Sequence, residues 1–420
     1  MKFAFVDGEK LGVYHDGKVL KMESEYITNY RRRALQAEKN REWKKNSDIM
    51  MYEGMYEIGG NEVVAAIHGI ALSAEENKIS YAFSVNESSG VYYKYLDDEK
   101  KTEAHIVSSN ESQFLSLFTT DQGDMLSTVQ DNPESSKIAI FSRAGGDYKC
   151  LTDGDSLDEN PAFDQDGNVI FNSYGIGRDA NNVFVTYMPS EIYRLNVRTL
   201  EIQTLVSNEK ISYIKPMTDS DGNLYCIRKP GAEKEKVNVF LEILLIPVRI
   251  VQAIVGFISA FVSCFAGKPL VSSGGRAIQN GSAAKNGGAD PKKVFVNNNL
   301  INVEKELNKN KKSEDSGFIP HSWKLVKFTP DQNGEFGKSE ETELASGVVD
   351  YFIDETDGEK TFVYSNGKHI FAVKEKDGKV KREKLVDTDF CLKVGGLKKT
   401  NAPSLDNFKN SASDGLFDML

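Results

Sequence analysis

CLTDGDSLDENPAFDQDGNVIFNS, residues 150–173, decides the fold. A strand-forming run ends at Phe163, Asp166-Gly167 follows, and NVIFNS (168–173) is a second run with β-branched and aromatic side chains. Asp-Gly favours the positive φ of a tight hairpin turn, so the stretch reads as two antiparallel strands and their turn. The same chemistry extends in both directions. KISYAF (78–83), GVYYKY (90–95), SKIAIF (136–141), EIYRLNV (191–197) and KTFVYS (360–365) are short runs rich in Val, Ile, Tyr and Phe between Asp, Gly and Asn turns. The chain is expected to be all-β. Its strands recur in groups of four, at about 62–108, 113–155, 157–208, 210–346 and 347–389, as the blades of a propeller do.

The two ends complement each other. KFAFVD (2–7), LGVYHDG (11–17) and VLKM (19–22) read as three strands without an inner one. FCLKV (390–394) reads as an inner strand without partners. Joined, they make a sixth blade, so a single propeller over 1–397 is expected to close with strands from both termini. Closure removes the exposed sheet edges that invite aggregation.

The opening stretch also resembles the repeat of TolB-type bacterial propellers. That repeat runs Leu-Thr-x-Gly, a Pro-x-aromatic strand, Asp-Gly, then a hydrophobic strand. Leu151, Thr152, Gly154, Pro161, Phe163, Asp166, Gly167, Ile170 and Phe171 meet it. KPMTDSDGNLYCI (215–227) is a second copy through Pro216, Asp221, Gly222 and Tyr225. The resemblance implies the propeller fold rather than an activity. TolB proteins carry signal peptides, whereas MKFAFVDGEKLG has no apolar run before its first charges, which leads us to expect a cytoplasmic protein.

Composition narrows the function. With 52 Lys+Arg against 62 Asp+Glu the formal net charge is −10, the wrong balance for a nucleic-acid partner. Cys150, Cys226, Cys264 and Cys391 form no CxxC pair and read as buried thiols, with no metal site expected. The five histidines (His15, His68, His105, His321, His369) have no metal-ligand spacing, and no GxSxG elbow is present. Asp164-x-Asp166-Gly167 and Asp219-x-Asp221-Gly222 share letters with calcium loops but lack the later Glu, and they read as hairpin turns. Gly175-Ile-Gly177-Arg-Asp-Ala180 imitates a dinucleotide fingerprint, yet strand-like residues follow where a helix is required. No catalytic residue and no cofactor are expected. Arg178 and Asp179 remain candidates for a pocket.

Three connections exceed a turn: 23–61, 174–189 and 231–320. The first holds a basic helix with Ser24 as its N-cap. The last holds FLEILLIPVRIVQAIVGFISAFVSCFAGKPL (240–270) and then a Ser/Gly/Asn/Lys-rich stretch, 268–320, expected to be a flexible basic linker. All three are expected on one face of the disc. Wound as a helix, 237–267 keeps Asn238, Glu242, Arg249, Gln252, Gly256, Ser259 and Ser263 in one stripe, and the rest of its circumference is apolar. A single bilayer crossing would need a return, and 268–320 carries too many charges to span. In-plane insertion, or docking into an apolar groove of a partner protein or second copy, fits better.

The sequence therefore leads us to expect a non-catalytic scaffold, peripheral on the inner face of a membrane. Ile243, Ile246, Ile250, Val251, Ile254, Phe257, Ile258, Phe261 and Phe265 would make the apolar contact. Arg31, Arg32, Arg33, Arg249 and Lys268 would flank it near anionic head groups. The alternative is an assembly module whose apolar helix enters a protein partner. A central-pocket enzyme ranks third. Residues 398–420 are expected to be a disordered tail whose end, Leu416 to Leu420, offers a peptide-type contact.

Overall fold

The computed structural model describes residues 1–46, 63–231, 293–309 and 315–399, apart from breaks at 76, 87, 97–102, 133, 142–145, 147, 180, 182–183, 333, 337–340, 356–358 and 377–378. Strands β1 (Lys2–Asp7), β2 (Lys10–His15) and β3 (Lys18–Met22) come first, then helix α1 (Glu25–Asn46). A second group holds β4 (Ala65–Leu72), β5 (Lys78–Val85), β6 (Ser88–Tyr95) and β7 (Ala104–Ser109). A third holds β8 (Gln113–Phe114), β9 (Phe118–Thr119), β10 (Met125–Asn132), β11 (Ser135–Phe141) and β12 (Lys149–Cys150). The fourth is β13 (Ser156–Phe163), β14 (Val169–Arg178), β15 (Phe184–Leu195) and β16 (Ile202–Val206). Strands β17 (Ile211–Thr218) and β18 (Leu224–Pro230) precede a hairpin, β19 (Lys293–Val296) and β20 (Asn299–Asn302), and helix α2 (Val303–Lys309). Strands β21 (Lys324–Phe328) and β22 (Thr342–Ser346) then rejoin β18. The chain continues through β23 (Asp350–Asp354), β24 (Thr361–Ser365), β25 (Gly367–Lys376), β26 (Lys379–Cys391) and β27 (Lys393–Gly395).

Neighbouring strands pair antiparallel within each group. The third and fourth groups share one parallel bridge, Ser136 to Leu157, which links them into a nine-stranded sheet. None of the sheets closes on itself. The groups meet along their first strands: β27 touches β4, β4 touches β9, β9 touches β13, β13 touches β17, β17 touches β23, and β23 touches β27.

Burial on both faces explains the composition of these strands. In β5, Ile79, Tyr81, Phe83 and Val85 pack into one apolar cluster with β1, β2 and β4. Ser80, Ala82 and Ser84, on the opposite face, are buried as well, with Ala82 in the next cluster against β10 and β11. Alternating large and small side chains let one sheet pack closely on the next.

Both chain ends enter one sheet, in the order β27-β1-β2-β3. The inner strand falls at Lys393–Gly395 rather than 390–394, because Phe390 and Cys391 end β26 and Phe390 stacks on Phe318. Helix α1 begins where Ser24 caps it, Oγ accepting from Ile27 N at 3.2 Å, and the Glu103 carboxylate accepts from Glu25 N and Tyr26 N at 2.9 Å each. The remainder of 23–61 beyond Asn46 lies outside the described residues.

Three expectations change. Residues 174–189 are no loop: β14 and β15 stay paired out to Arg178 and Phe184, held by Tyr174, Phe184 and Tyr187 ring contacts. Within 268–320, the segment 293–309 forms a hairpin and a helix rather than a linker, with Val294, Val296, Ile301 and Val303 buried, and Phe318 and Ile319 are buried too. The tail begins later than 398, since Lys398 is buried and its backbone bonds Thr119 and Asp121. Residues 400–420, with the Leu416 to Leu420 end, lie outside the described residues, as does the whole 237–267 segment. Among the described cysteines, Cys226 and Cys391 are buried but Cys150 is exposed.

Candidate functional site

The first strands surround a cavity of about 50 Å³. Its polar wall comes from bulges. Strand β4 slips between Ile67 and Gly69, β13 between Glu159 and Ala162, and β17 between Ile214 and Met217. The extra residues are His68, Asn160-Pro161 and Lys215-Pro216. Asn160 and Lys215 both hold φ of 52°, and the proline after each has no N–H for the ladder. A bulge re-aims side chains, and here it delivers His68, Asn160 and Lys215 to the cavity wall.

Lys215 is fixed on every side. Its Nζ donates to Asp350, its N donates to Asn172 Oδ1 at 3.0 Å, and its carbonyl accepts from the Tyr351 hydroxyl at 2.9 Å. Asp350 Oδ2 also accepts from Val394 N at 2.8 Å, so this carboxylate ties β17, β23 and β27 together. Burial pulls the Lys215 pKa below its ordinary value and the neighbouring Lys393 adds to that, while Asp350 opposes. His68 Nε2 lies 2.8 Å from Ser84 Oγ, and desolvation, with help from Lys393, lowers its pKa to about 4. Lys398 donates to Thr218 O at 2.6 Å and Glu355 Oε2 at 3.0 Å. Lys393 lines the same cavity, and its ammonium has no hydrogen-bond or ion-pair partner among the described residues.

A second buried charge pair lies under the β19–β20 hairpin. Lys229, 2% exposed, donates to Asn297 O and lies over the Tyr174 and Trp323 rings at 5.3 and 5.4 Å. Asn298 Nδ2 donates to Glu159 Oε1 at 3.3 Å. Burial raises the Glu159 pKa and lowers that of Lys229 to about 7; each group's charge opposes the shift of the other. Asn297 and Asn298 hold φ of 46° and 59°, the left-handed pair of a tight hairpin turn, which brings both side chains to this pair.

The expected site residues fare unevenly. Arg31 is held by Glu9 through two bonds of 2.6 Å, and Arg32 donates to Asn29 Oδ1 at 3.0 Å. Arg33 is on an exposed face of α1. Arg178 bonds Asp155 at 2.8 and 3.0 Å and Glu134 at 3.1 Å, and Asp179 caps Asn181 N at 2.8 Å. Neither Arg178 nor Asp179 lines the cavity. Ile243, Ile246, Arg249, Ile250, Val251, Ile254, Phe257, Ile258, Phe261, Phe265 and Lys268 lie outside the described residues. Among the described residues no helix is long and apolar enough to cross a membrane.

Both Asp-x-Asp-Gly turns direct their carboxylates inward. Asp164 Oδ1 accepts from Asp166 N and Asn168 N, and Asp219 Oδ1 from Asp221 N and Asn223 N, all at 2.9 Å. Sequence reasoning missed His68, Lys215, Asp350, Lys393, Glu159 and Lys229. The signal within reach was the X-Pro step in NPAF and KPMT, where an inner strand must leave its ladder.

No protein-family model and no curated protein matches the chain. Among solved structures it is similar to TolB from Acinetobacter baumannii at 9% identity and TM-score 0.45, over 94% of this chain and 65% of that one. The chain thus spans just under two thirds of that TolB. A protein from Lactobacillus plantarum matches at 8% identity and TM-score 0.41, over 94% and 98% of the two chains. The tricorn protease matches at 10% and 0.38, over 91% and 35%. At these identities what this all-β chain shares with TolB and the other propeller proteins is the fold.

Proposed function

We propose that the strand groups are six blades of one ring, closed by strands from both termini, and that the ring is a non-catalytic cytoplasmic scaffold. It attaches peripherally to the inner face of a membrane through the 237–267 segment. The successive contacts of first strands, returning from β23 to β27 and β4, support the ring. The non-catalytic reading rests on the cavity, whose ionisable side chains other than His68 and Lys393 bind one another.

One relationship carries the peripheral reading. The chain leaves at Gly231, whose N bonds Lys210 O at 2.9 Å, and returns at Lys293. Lys229 touches Asn297, so departure and return lie within roughly 25 Å of each other, given about 3.4 Å per extended residue. Both points belong to one packed body. A single crossing of a ~30 Å hydrocarbon layer would put them on opposite sides. An apolar segment that must start and finish on one side suits insertion in the plane of the surface.

Flotation with vesicles of phosphatidylglycerol and phosphatidylcholine tests this. The full chain is expected to rise with the vesicles, and a chain with 232–292 replaced by a short Gly-Ser linker is expected to stay at the bottom. A full chain that stays at the bottom refutes membrane attachment. If it also loses an oligomer on deletion, the assembly-module reading replaces it.

A further inference from the structure

We propose that the central cavity is a binding site for a small oxyanion, of the size of acetate or inorganic phosphate, held by Lys393 and Thr119. The argument starts from charge. Lys215 is neutralised by Asp350, Lys229 is opposed by Glu159, and Lys398 is paired with Glu355. Lys393 alone has no counter-charge among the described residues, and it lines a cavity whose remaining wall is largely Ile70, Leu117, Phe118, Met217, Phe352 and Val394. A lysine ammonium facing apolar wall without a partner is costly, and an anion beside it removes that cost.

The second observation is independent of charge. The Thr119 hydroxyl is buried, 1% exposed, and has no hydrogen-bond partner, and Thr119 lines the same cavity. A buried hydroxyl without a partner costs about 1–3 kcal/mol unless a ligand or water meets it. An ammonium and a hydroxyl on one wall are the donors that a carboxylate or phosphate oxygen requires. Size limits the ligand. A water needs roughly 10–15 Å³ of such space, so about 50 Å³ admits a ligand of only a few heavy atoms. The charged groups facing His68 here are Lys393 on β27, Lys215 and Asp350 on β17 and β23, and Glu159 further along on β13.

The experiment uses the full chain and titrates inorganic phosphate or acetate against sodium chloride of equal ionic strength, following the melting temperature. Saturable stabilisation by the oxyanion beyond that of chloride is expected. Lys393→Gln should weaken it roughly tenfold or more, as expected for removal of a charge-assisted hydrogen bond, and Lys393→Arg should restore it. Lys210→Gln, at an exposed position, should leave it unchanged. Equal effects of chloride and oxyanion, or equal binding by Lys393→Gln, overturn the proposal. If Lys393→Gln does not fold, the unaltered chain decides. Bound oxyanion beside His68 should move its ring NMR signals and raise its pKa, and a ring titration indifferent to phosphate overturns the assignment.

Discussion

Phe5 lies directly opposite Val394 in the antiparallel pair that joins the first strand of the chain to its last. The junction is reinforced at Asp7, whose Oδ1 accepts from Asp389 N at 2.9 Å and Phe390 N at 3.0 Å, and at Gly8, whose N donates to Phe390 O at 2.7 Å. Phe5 is fully buried, packed with Phe3 and Phe352. Truncating its ring leaves a cavity, so Phe5→Ala is expected to cost about 3–5 kcal/mol. A chain ending at Leu392 should lose more, because Asp350 also loses the Val394 amide. Urea unfolding measures both. A Phe5→Ala midpoint within error of the parent would mean that the ends do not hold each other.

Asp219 makes a second cross-sheet link. Beyond its own turn, Oδ2 accepts from Tyr225 Oη at 2.8 Å and from Lys360 Nζ at 2.6 Å, on the β23–β24 connection. Burial works against the carboxylate, but Lys360, Asn223 and Tyr225 outweigh it and hold its pKa below the usual value. Asp219→Ala should destabilise by about 3–5 kcal/mol, since partly buried donors lose their acceptor. Added calcium should not shift the melting temperature of the parent, because backbone amides already occupy Oδ1. A calcium-dependent rise would reverse the reading of this turn.

The legible part of the fold was local. Asp-Gly turns, two-residue alternation and the two incomplete ends are properties of adjacent residues, and they mark strands and the terminal pairing. Even there the inner strand was misplaced, because Phe390 and Cys391 are as strand-like as Val394. The cavity was not legible, since its groups meet only through the packing of separate sheets: Lys215 and Asp350 are 135 residues apart. The β19–β20 hairpin was hidden for a different reason. KVFVNNNLIN lies in an Asn/Lys-rich stretch, and composition outweighed the alternation of Val294, Val296 and Ile301. Arg31 looked like a free surface cation because Glu9, its partner, sits in another element.

That hairpin offers a test of its own. Asn298 combines a left-handed φ of 59° with a bond to Glu159. Glycine accepts this conformation freely, whereas a β-branched residue is strained there by roughly 1–2 kcal/mol. Asn298→Gly should therefore lose only the side-chain bond, and Asn298→Val should lose that bond and be strained as well. The ordering parent, Gly, Val in urea midpoint is the expected result. Equal midpoints for Gly and Val would show that the turn is not held left-handed.

His68 gives the fold a predictable response to acid. Its ordinary pKa of 6.5 falls to about 4 in the folded chain, mainly through desolvation and secondarily through Lys393. Between those values the unfolded chain holds a proton that the folded chain does not. Stability therefore falls as pH drops from about 6.5 through 4, by at most roughly 3 kcal/mol. Carboxylates titrate in part of the same range, so the parent alone does not isolate the effect. His68→Asn removes the titrating ring while keeping a polar side chain that can reach Ser84. Unfolding free energies of parent and variant should be measured by urea at pH 7 and pH 4.5, in buffers free of phosphate and acetate. The variant is expected to be less stable at pH 7, where a packed ring is lost, and the gap should narrow or reverse at pH 4.5. A gap of equal size at both pH values would mean that the imidazole takes up its proton as readily in the folded protein as in the unfolded chain, and that the cavity around Lys393 exerts no hold on it.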